Sequence, residues 1–525
     1  MAITLWAACL RVLPMLLFGG PTAYHSGGLF YAFAAAIRSH GFAMPETIPH
    51  YTNGGLPFAY PPLAFYLIAA LDSIFEQGPV LILYVNVVFS ILVVPAFYLL
   101  TLALPDFSRA GRVVATLAFA TLPLLIAEQL PGEGLAESTG LLVFVLFLRQ
   151  LLLVKPSSTW ISRAGLGVLL GLNVLIAPGT AYAAPVIYVV YVLGRFLKAP
   201  KTRHARRRIV LNALLPVAVS LIAASPYLIA VASRYGFGLF LRSFGSEHSH
   251  LGSSLIVTLD LFFMPGKGYV FPTLAQMLTL WGVLYAVLAR KQFLLFLMLF
   301  LVLVPSEGPW LYSVPVGLMA GLAWQGVIVP GLRTVASTVR PDSDVRRVQN
   351  LLFTGFLPVL VALAPIFAEI AYDRTTAPFY YAFVTDEELT ALQEAQAHSQ
   401  PDDTFLVFAN EIEWFPELTD RTVLNVVYGT EWIPDKYRAI RDFKQQLDDC
   451  AAAQELLLIL EQNARAYPAY FPLPDYLYIS KEAEDLQRGN PVASEALIAD
   501  LRRDPSFTVA FETPTTIVFA YHAEP

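Results

Sequence analysis

Charged residues and cysteines are both scarce in this chain of 525 residues. Asp, Glu, Lys and Arg together make up 14% of the sequence, whereas 56% of the residues are hydrophobic. This composition excludes an ordinary soluble domain and indicates an integral membrane protein. Cys9 lies in the first apolar run and Cys450 near the C-terminus, so we expect no intrachain disulfide. The N-terminus has too little charge for a cleaved signal peptide, which predicts a retained first helix.

Acidic residues are the minority over most of the chain. Residues 1–372 hold 13 acidic and 23 basic residues, whereas residues 373–525 hold 27 acidic and 11 basic residues. About 20 apolar residues are needed to cross a bilayer as a helix. Runs that reach or approach this length predict eleven spans, at 3–20, 79–104, 112–128, 138–154, 163–179, 181–197, 209–233, 271–289, 292–305, 310–329 and 349–371.

Basic residues are nearly absent from one set of alternate loops. With a cytoplasmic N-terminus, the inner loops carry 18 Lys and Arg residues and the outer loops carry four. Counting residues 61–74 as a twelfth span would move the cluster "RFLKAPKTRHARRR" outside, which the positive-inside rule rejects. The alternative reading of Pro61 and Pro62 is a kinked spanning helix. We instead predict one long outer segment, residues 21–78, called the first loop below, with interfacial helices at 28–41 and 61–74.

The acidic C-terminal part has a different pattern from the rest of the chain. An odd number of spans places residues 373–525 outside, separate from a transmembrane domain at 1–372. Short alternating elements predict a small α/β domain, with helices at "DEELTALQEAQAHS", "KYRAIRDFKQQLDDC" and "SEALIADLRRD" and strands at "TFLVFA", "FTVAF" and "TTIVFAY". Two further short elements, "ELLLIL" and "YLYIS", lie between the second and third of these helices. The segment "EIEWFPELTDRTVLNVVYGTEW" is rich in aromatic and acidic residues. We interpret it as packed domain surface; the alternative is a lid that contacts substrate through Trp414, Arg421 and Trp432.

The order of motifs in the first 200 residues suggests a family. The sequence "LRVLPMLLFGGP" is followed by "YHSGGLFYAFAAAIRSHG", then "PHYTNGGLPFAYPPLAFYL", then "EQLPGEGLAES". This order resembles the GT-C glycosyltransferases, which include protein O-mannosyltransferases and lipid A aminoarabinose transferases. The resemblance implies a polytopic helical fold with juxtamembrane helices in the first outer loop. It also implies transfer of a sugar from a polyprenyl-phosphate donor to an acceptor on the outer face.

An acid is missing where that family usually has one, shortly after the first helix. Tyr24 and His25 occupy the corresponding positions, and the first acid in the chain is Glu46. Glycosyl transfer needs a base for the acceptor hydroxyl, or a cation to stabilise the departing phosphate. The candidates for the base are therefore His25, whose ordinary pKa is near 6.5, and the acids Glu46, Glu128 and Glu133. Glu137 lies close to the last two, and all three can equally be solvated loop acids.

Substrate and metal ligands are predicted from the other polar residues of the outer loops. We expect Tyr24, Asn53 and Tyr60 to contact the substrate, and Arg242 and Lys267 to bind the phosphate. Glu247, His248 and His250 can hold a divalent cation, although a solvated loop explains them as well. Arg11, inside the first helix, should face the bundle interior and find a partner.

The sequence therefore predicts a multi-pass plasma-membrane glycosyltransferase with a cytoplasmic N-terminus and an extracytoplasmic C-terminal domain. Its expected partners are a polyprenyl-phosphate sugar donor, membrane lipids and a glycan, lipid or protein acceptor, with no nucleic acid. One alternative is a transporter or flippase of lipid-linked sugars, which should contain two similar halves. We find no such repeat. Another alternative is a non-catalytic relative that binds envelope glycans, which the missing acid favours.

Overall fold

We describe the fold from a computed structural model of the chain. The description covers residues 1–18, 27–122, 125–126, 129–130, 134–155, 157–200, 202–239, 274–303, 309–332, 334, 384–481 and 491–522. The predicted span at 349–371 and the predicted domain boundary at 372 lie outside these residues.

The N-terminal part is a bundle of mostly apolar helices. The helices are α1 (Ala2–Phe18), α2 (Gly27–Ser39), α3 (Leu63–Phe75), α4 (Val80–Leu102), α5 (Arg109–Ala120), α6 (Gly134–Leu153), α7 (Trp160–Ile176), α8 (Pro178–Lys198), α9 (Arg203–Tyr235), α10 (Leu274–Leu288), α11 (Gln292–Leu303) and α12 (Ser313–Ala323). A short 3₁₀ turn, Pro309–Tyr312, precedes α12, and a π-helical turn, Trp324–Ile328, follows it. Two short strands, β1 (Thr47–Ile48) and β2 (Leu56–Pro57), form a hairpin between α2 and α3.

Ten of the eleven predicted spans coincide with helices of the described chain. Five helical stretches are long and apolar enough to cross a membrane, at Val80–Leu102, Gly134–Leu153, Pro178–Lys198, Arg203–Tyr235 and Trp310–Leu332. Helix α3 has 13 residues, about 20 Å of helix, which is too short to cross the roughly 30 Å hydrocarbon core. Helices α5 and α11 have 12 residues each, so helix length does not test the prediction that residues 61–74 do not cross. The number of spans and their orientation stay predictions.

Helix α9 connects two chemically different ends of the bundle. It has 33 residues, about 50 Å, and begins in the basic cluster. Near its other end, the Tyr227 hydroxyl donates to the carbonyl of Ala59 (2.7 Å), and Arg234 donates to the carbonyl of Pro45 (2.6 Å). The basic cluster and the first loop therefore lie at opposite ends of the bundle, called the cationic end and the loop end below.

Hydrogen bonds at the cationic end join loops that charge had predicted to share one side. Lys291, between α10 and α11, pairs with Asp106, between α4 and α5 (2.8 Å). Arg195 at the end of α8 donates to the carbonyl of Val154 after α6 (3.0 Å).

Arg11, inside helix α1, is fully buried, as expected, and its Nε donates to the hydroxyl of Ser90 (2.6 Å).

Residues 384–522, called the C-terminal unit below, form a five-stranded sheet with helices on both faces. Its elements are α13 (Asp386–Ala397), β3 (Thr404–Phe408), α14 (Phe415–Thr419), β4 (Thr422–Val423), α15 (Pro434–Asp449), α16 (Ala453–Ala466), β5 (Tyr476–Ser480), α17 (Pro491–Leu501), β6 (Phe507–Glu512) and β7 (Thr516–Tyr521). The strand order is β4-β3-β5-β7-β6. Strand β3 runs parallel to β4 and β5, whereas β7 runs antiparallel to β5 and β6. The predicted elements are all present, and the segment "ELLLIL" is part of helix α16.

The two faces of this sheet belong to different cores, because successive side chains of a strand point to opposite faces. Phe405 and Val407 of β3 join a core that is continuous with the helical bundle. Leu406 and Phe408, on the other face, pack with α15, α16 and α17. On this side of the sheet, where α13 and α14 also pack, the C-terminal unit therefore shares one continuous core with the bundle.

Helix α2 differs from the amphipathic surface helix that the sequence predicted. Ten of its 13 residues are buried, including Leu29, Phe30 and Phe33. The reason is that α2 contacts α3 on one side and the segment of α14 on the other. Its apolar residues face protein on both sides, and the sequence alone cannot show the second side.

Candidate functional site at the loop end

The tip of the β1–β2 hairpin extends the C-terminal sheet. Tyr51 pairs in parallel with Val423 of the edge strand β4. The Val423 N–H donates to the carbonyl of His50 (3.0 Å), and the Thr52 N–H donates to the carbonyl of Val423 (2.8 Å). Tyr51 thus forms a single β-bridge to the edge of the sheet, between two residues with positive φ, His50 and Thr52, and this bridge joins the hairpin to the C-terminal unit.

Side chains reinforce this connection on both sides of the hairpin tip. Lys436 at the start of α15 is 4% exposed, and its Nζ donates to the carbonyls of Asn53 (2.8 Å) and Gly55 (3.0 Å). Burial lowers the pKa of Lys436 to about 8. On the other side, the Nε2 of His50 lies 3.1 Å from Oδ1 of Asp420.

The first turn of α2 lies directly on the segment that precedes α14. A Cβ added to Gly28 would be 2.2 Å from the carbonyl oxygen of Glu413 and 2.6 Å from the Cα of Trp414. The hydroxyl of Tyr51, which is 1% exposed, donates to the same Glu413 carbonyl (2.8 Å). The backbone of Glu413 is therefore held against residue 28, three residues after His25 in the sequence.

A second charged group joins α2, α3 and α14. Asp72 of α3 is 2% exposed and accepts hydrogen bonds from Arg38, from the Tyr31 hydroxyl (3.0 Å) and from the Gly78 N–H (2.7 Å). Burial, followed by the hydrogen bond to Asp72, raises the pKa of Tyr31. Burial and the neighbouring Asp420 raise the pKa of Glu417 in α14 to about 7, an effect that Arg38 opposes. Glu417 is therefore partly protonated near neutral pH.

Three of the predicted site residues belong to the described chain, and each contacts a different segment of it. Glu46 is exposed, and its backbone carbonyl accepts hydrogen bonds from the Tyr235 hydroxyl and the Phe58 N–H. The Asn53 amide donates to the carbonyl of Ala469 (3.0 Å), so this side chain already has a protein partner. The hydroxyl of Tyr60 lies 3.3 Å from that of Tyr428.

Most of the remaining candidate residues lie outside the described part of the chain. Glu137, in the first turn of α6, is described and half-buried. The others stay predictions without a structural test: Tyr24, His25, Glu128, Glu133, Arg242, Glu247, His248, His250 and Lys267.

The segment that we interpreted as packed domain surface is packed, as that interpretation requires. Trp414 is 1% exposed and Trp432 is 7% exposed. Arg421 is buried as well, and its guanidinium donates to the Ser399 hydroxyl (2.9 Å) and to four backbone carbonyls, at Gln396, Ser399, Thr419 and Asp420. Arg421 is thus bound within the C-terminal unit, whereas Trp432 packs against Ala59 and Tyr227 of the loop end.

Comparison with solved structures gives the fold a precedent. AglB, an archaeal oligosaccharyltransferase from Archaeoglobus fulgidus solved with an inhibitory peptide and a dolichol-phosphate, matches with a TM-score of 0.58 and 15% identity, over 99% of this chain and 73% of that one. ArnT from Cupriavidus metallidurans, bound to undecaprenyl phosphate, matches with a TM-score of 0.56 and 15% identity, over 99% of this chain and 96% of that one. The arabinofuranosyltransferase AftD from Mycobacteria matches with a TM-score of 0.56 and 15% identity, over 99% of this chain and 41% of that one.

All three neighbours are GT-C glycosyltransferases. The chain has the GT-C fold. The resemblance noted from the motif order is thereby confirmed at the level of fold, which is all that 15% identity shows. No protein-family model and no curated protein sequence matches the chain.

Within this GT-C fold, sequence reasoning missed the acids that approach the first loop from the C-terminal unit. Glu413 and Glu417 both belong to the segment "EIEWFPELTD", whose density of acidic and aromatic residues was noted. The sequence carried a signal that this segment was unusual. It carried no signal that the segment lies against α2, because the contact joins residues almost 400 positions apart.

Proposed function

We propose that the protein is an integral membrane glycosyltransferase that moves a sugar from a polyprenyl-phosphate donor to an acceptor on the outer face of the membrane. The GT-C fold over nearly the whole chain supports this proposal. AglB was solved with dolichol-phosphate and ArnT with undecaprenyl phosphate. These bound lipids support a lipid-phosphate donor for this protein as well. The loop end, where the first loop and the C-terminal unit meet, is the proposed outer face.

The contact between Glu413 and the first turn of α2 carries the proposal. The acceptor hydroxyl attacks the anomeric carbon of the donor, the bond from that carbon to the phosphate oxygen breaks, and the phosphate leaves with the electron pair. A base must take the hydroxyl proton as the new bond forms. The family position for this base holds Tyr24 and His25, and the backbone of Glu413 packs against Gly28, three residues after His25. We propose Glu413 as the base, with His25, Glu46, Glu128 and Glu133 as the other candidates.

Fixed positive charge must stabilise the leaving phosphate. Two of the four predicted outer cations belong to the described chain, and both have structural partners. Arg38 pairs with Asp72, and Arg234 donates to the carbonyls of Met44 and Pro45. This leaves Arg242 and Lys267 as the proposed phosphate ligands.

A divalent cation is a further candidate for this role. The Archaeoglobus fulgidus oligosaccharyltransferase has also been solved in complex with Zn and sulfate. In the described part of this chain, no three His, Cys, Asp or Glu side chains lie close enough together to hold a metal ion. The proposed ligands Glu247, His248 and His250 lie outside that part, so we derive no step that passes through a metal.

The experiment is a transfer assay with a polyprenyl-phosphate sugar donor, paired with a measurement of donor binding. Glu413→Gln keeps the shape of the side chain and removes the basic oxygen. We expect it to lower transfer about a hundred- to ten-thousand-fold while donor binding changes little. His25→Ala, Glu46→Gln, Glu128→Gln and Glu133→Gln test the other candidates in the same way.

Glu461→Gln is the matched control, because Glu461 is an exposed acid of the same unit that pairs with Arg465. Transfer by this variant should equal that of the parent. If all five candidate variants also transfer at the parent's rate, the site assignment is wrong. If the parent binds donor but transfers no sugar to any acceptor offered, the protein is a non-catalytic GT-C relative.

A further inference from the structure

A cleft between helix ends at the cationic end of the bundle has no role in the proposed transfer reaction. It is shallow, with a volume of about 50 Å³, which is enough for a small polar group and below the roughly 300–1,000 Å³ of pockets that enclose a whole drug-sized ligand. Four helices form it: the end of α6, the start of α7, the end of α8 and the first half of α9. Lys155, Arg163 and Arg195 contribute three positive charges, and no acidic residue lines the cleft.

The arginine of α8 is fixed in place before any ligand binds. Its Nη1 donates to the carbonyl of Val154 (3.0 Å), and its guanidinium lies over the ring of Tyr191, 5.8 Å from the ring centre. An arginine has five N–H donors, and Val154 is the one hydrogen-bond acceptor of Arg195 among the described residues. A fixed guanidinium with donors to spare is well suited to a phosphate, which it can bind with two parallel hydrogen bonds.

The walls of the cleft are apolar, unlike those of a site for a free anion. Leu151, Leu166, Val192 and Pro216 line it beside the cations. The outer surfaces of the helices next to it, at Leu193, Leu197 and Leu214, are 50–68% exposed. In a chain with membrane-spanning helices, such surfaces face lipid tails. The cleft thus joins a cationic headgroup position to an apolar surface on which an acyl chain can lie.

We propose that this cleft binds the phosphate headgroup of an anionic membrane phospholipid, at the end of the bundle opposite the proposed transfer site. Basic pockets between membrane helices have the chemistry that recognises such headgroups, each nearby cation adding about 1 kcal/mol. The site differs from the exposed basic residues Arg207 and Arg208, which attract any anionic surface without enclosing a headgroup.

The test is lipid retention by the full-length protein, purified in mild detergent and analysed by native mass spectrometry after addition of phosphatidylglycerol or phosphatidylcholine. We expect one phosphatidylglycerol to be retained in preference to phosphatidylcholine. Arg163→Gln with Arg195→Gln should weaken retention about 25-fold, since each lost cation accounts for about fivefold. Lys155→Gln, at an exposed rim position, should weaken it about fivefold without affecting folding.

The control is Arg207→Gln with Arg208→Gln, which removes the same charge from the exposed surface and should leave retention within about twofold of the parent. Inorganic phosphate, added as competitor, distinguishes a lipid site from a site for the free anion. The proposal is overturned if both double variants lose retention equally, if Lys155→Gln has no effect, if phosphatidylcholine is retained as well as phosphatidylglycerol, or if millimolar phosphate displaces the lipid.

Discussion

Adding one methyl group at Gly28 tests the contact on which the proposed site depends. Gly28→Ala places a Cβ 2.2 Å from the carbonyl oxygen of Glu413, whereas real Cβ contacts are essentially never below 3.0 Å. The backbone of α2 or of the Glu413–Trp414 segment must therefore move by about 0.8 Å. Neither can move easily, because Trp414 is buried and the Tyr51 hydroxyl holds the Glu413 carbonyl.

Two effects of opposite sign decide the result. Alanine in place of glycine within a helix stabilises it by about 0.5–1 kcal/mol. Overpacking against a fixed backbone costs about 1–3 kcal/mol. The steric effect wins, and we expect Gly28→Ala to lose about 1–2 kcal/mol of stability and about tenfold or more in transfer, because the Glu413 segment is displaced.

Gly165→Ala is the control, because a Cβ at Gly165 in α7 would have nothing within 4 Å. It should keep the helix-propensity gain and raise the apparent melting temperature slightly. Differential scanning fluorimetry in detergent compares the two variants, and hydrogen exchange reports whether the N–H groups around Val423 become less protected. The reasoning is refuted if both substitutions shift the melting temperature in the same direction and exchange at the sheet edge is unchanged.

Two further predictions concern the charged groups between α2, α3 and α14. The pKa of Glu417 is about 7 in the folded protein, above its ordinary value of 4.5, so the folded state loses stability relative to the unfolded state as pH rises from 4.5 to 7. Glu417→Gln should therefore raise the melting temperature at pH 8 but not at pH 4.5, with an upper limit of about 3 kcal/mol; an equal shift at both pH values would contradict this. The second prediction concerns the Arg38–Asp72 pair, whose side chains are 43% and 3% exposed. Arg38→Gln should lower the melting temperature more than Asp72→Asn does, because it leaves an unpaired charge on the buried Asp72. The reverse order of melting temperatures would show that the pair is solvated.

The helices were largely predictable because the signals that specify them are local. Apolar runs and alternate basic loops predicted ten helices and a short α3, and alternating patterns predicted the strands of the C-terminal unit. The Trp414 segment was also correctly interpreted as packed. Each of these predictions depends only on a short window of sequence, because periodicity and turn residues are local signals.

The contacts of the site were not predictable from one sequence. The pairing of Tyr51 with Val423 joins an isolated bridge residue to a strand of two residues, and neither is long enough to show alternation. The burial of α2 on both sides depends on a surface that lies far along the chain. The close approach at Gly28 has no sequence signal other than the glycine itself, which can equally serve a turn or a flexible loop.

The bridge between the hairpin and the sheet edge has a consequence for how the C-terminal unit can be studied. An uncovered edge strand offers unpaired N–H and C=O groups to other chains and promotes aggregation. In the whole protein, His50 and Thr52 occupy those groups at Val423. A fragment beginning near residue 384 would expose that edge together with the surface of the Glu413–Trp414 segment that packs against α2. A soluble version of the C-terminal unit should therefore include residues 46–60, fused through a linker so that they cover the edge at Val423.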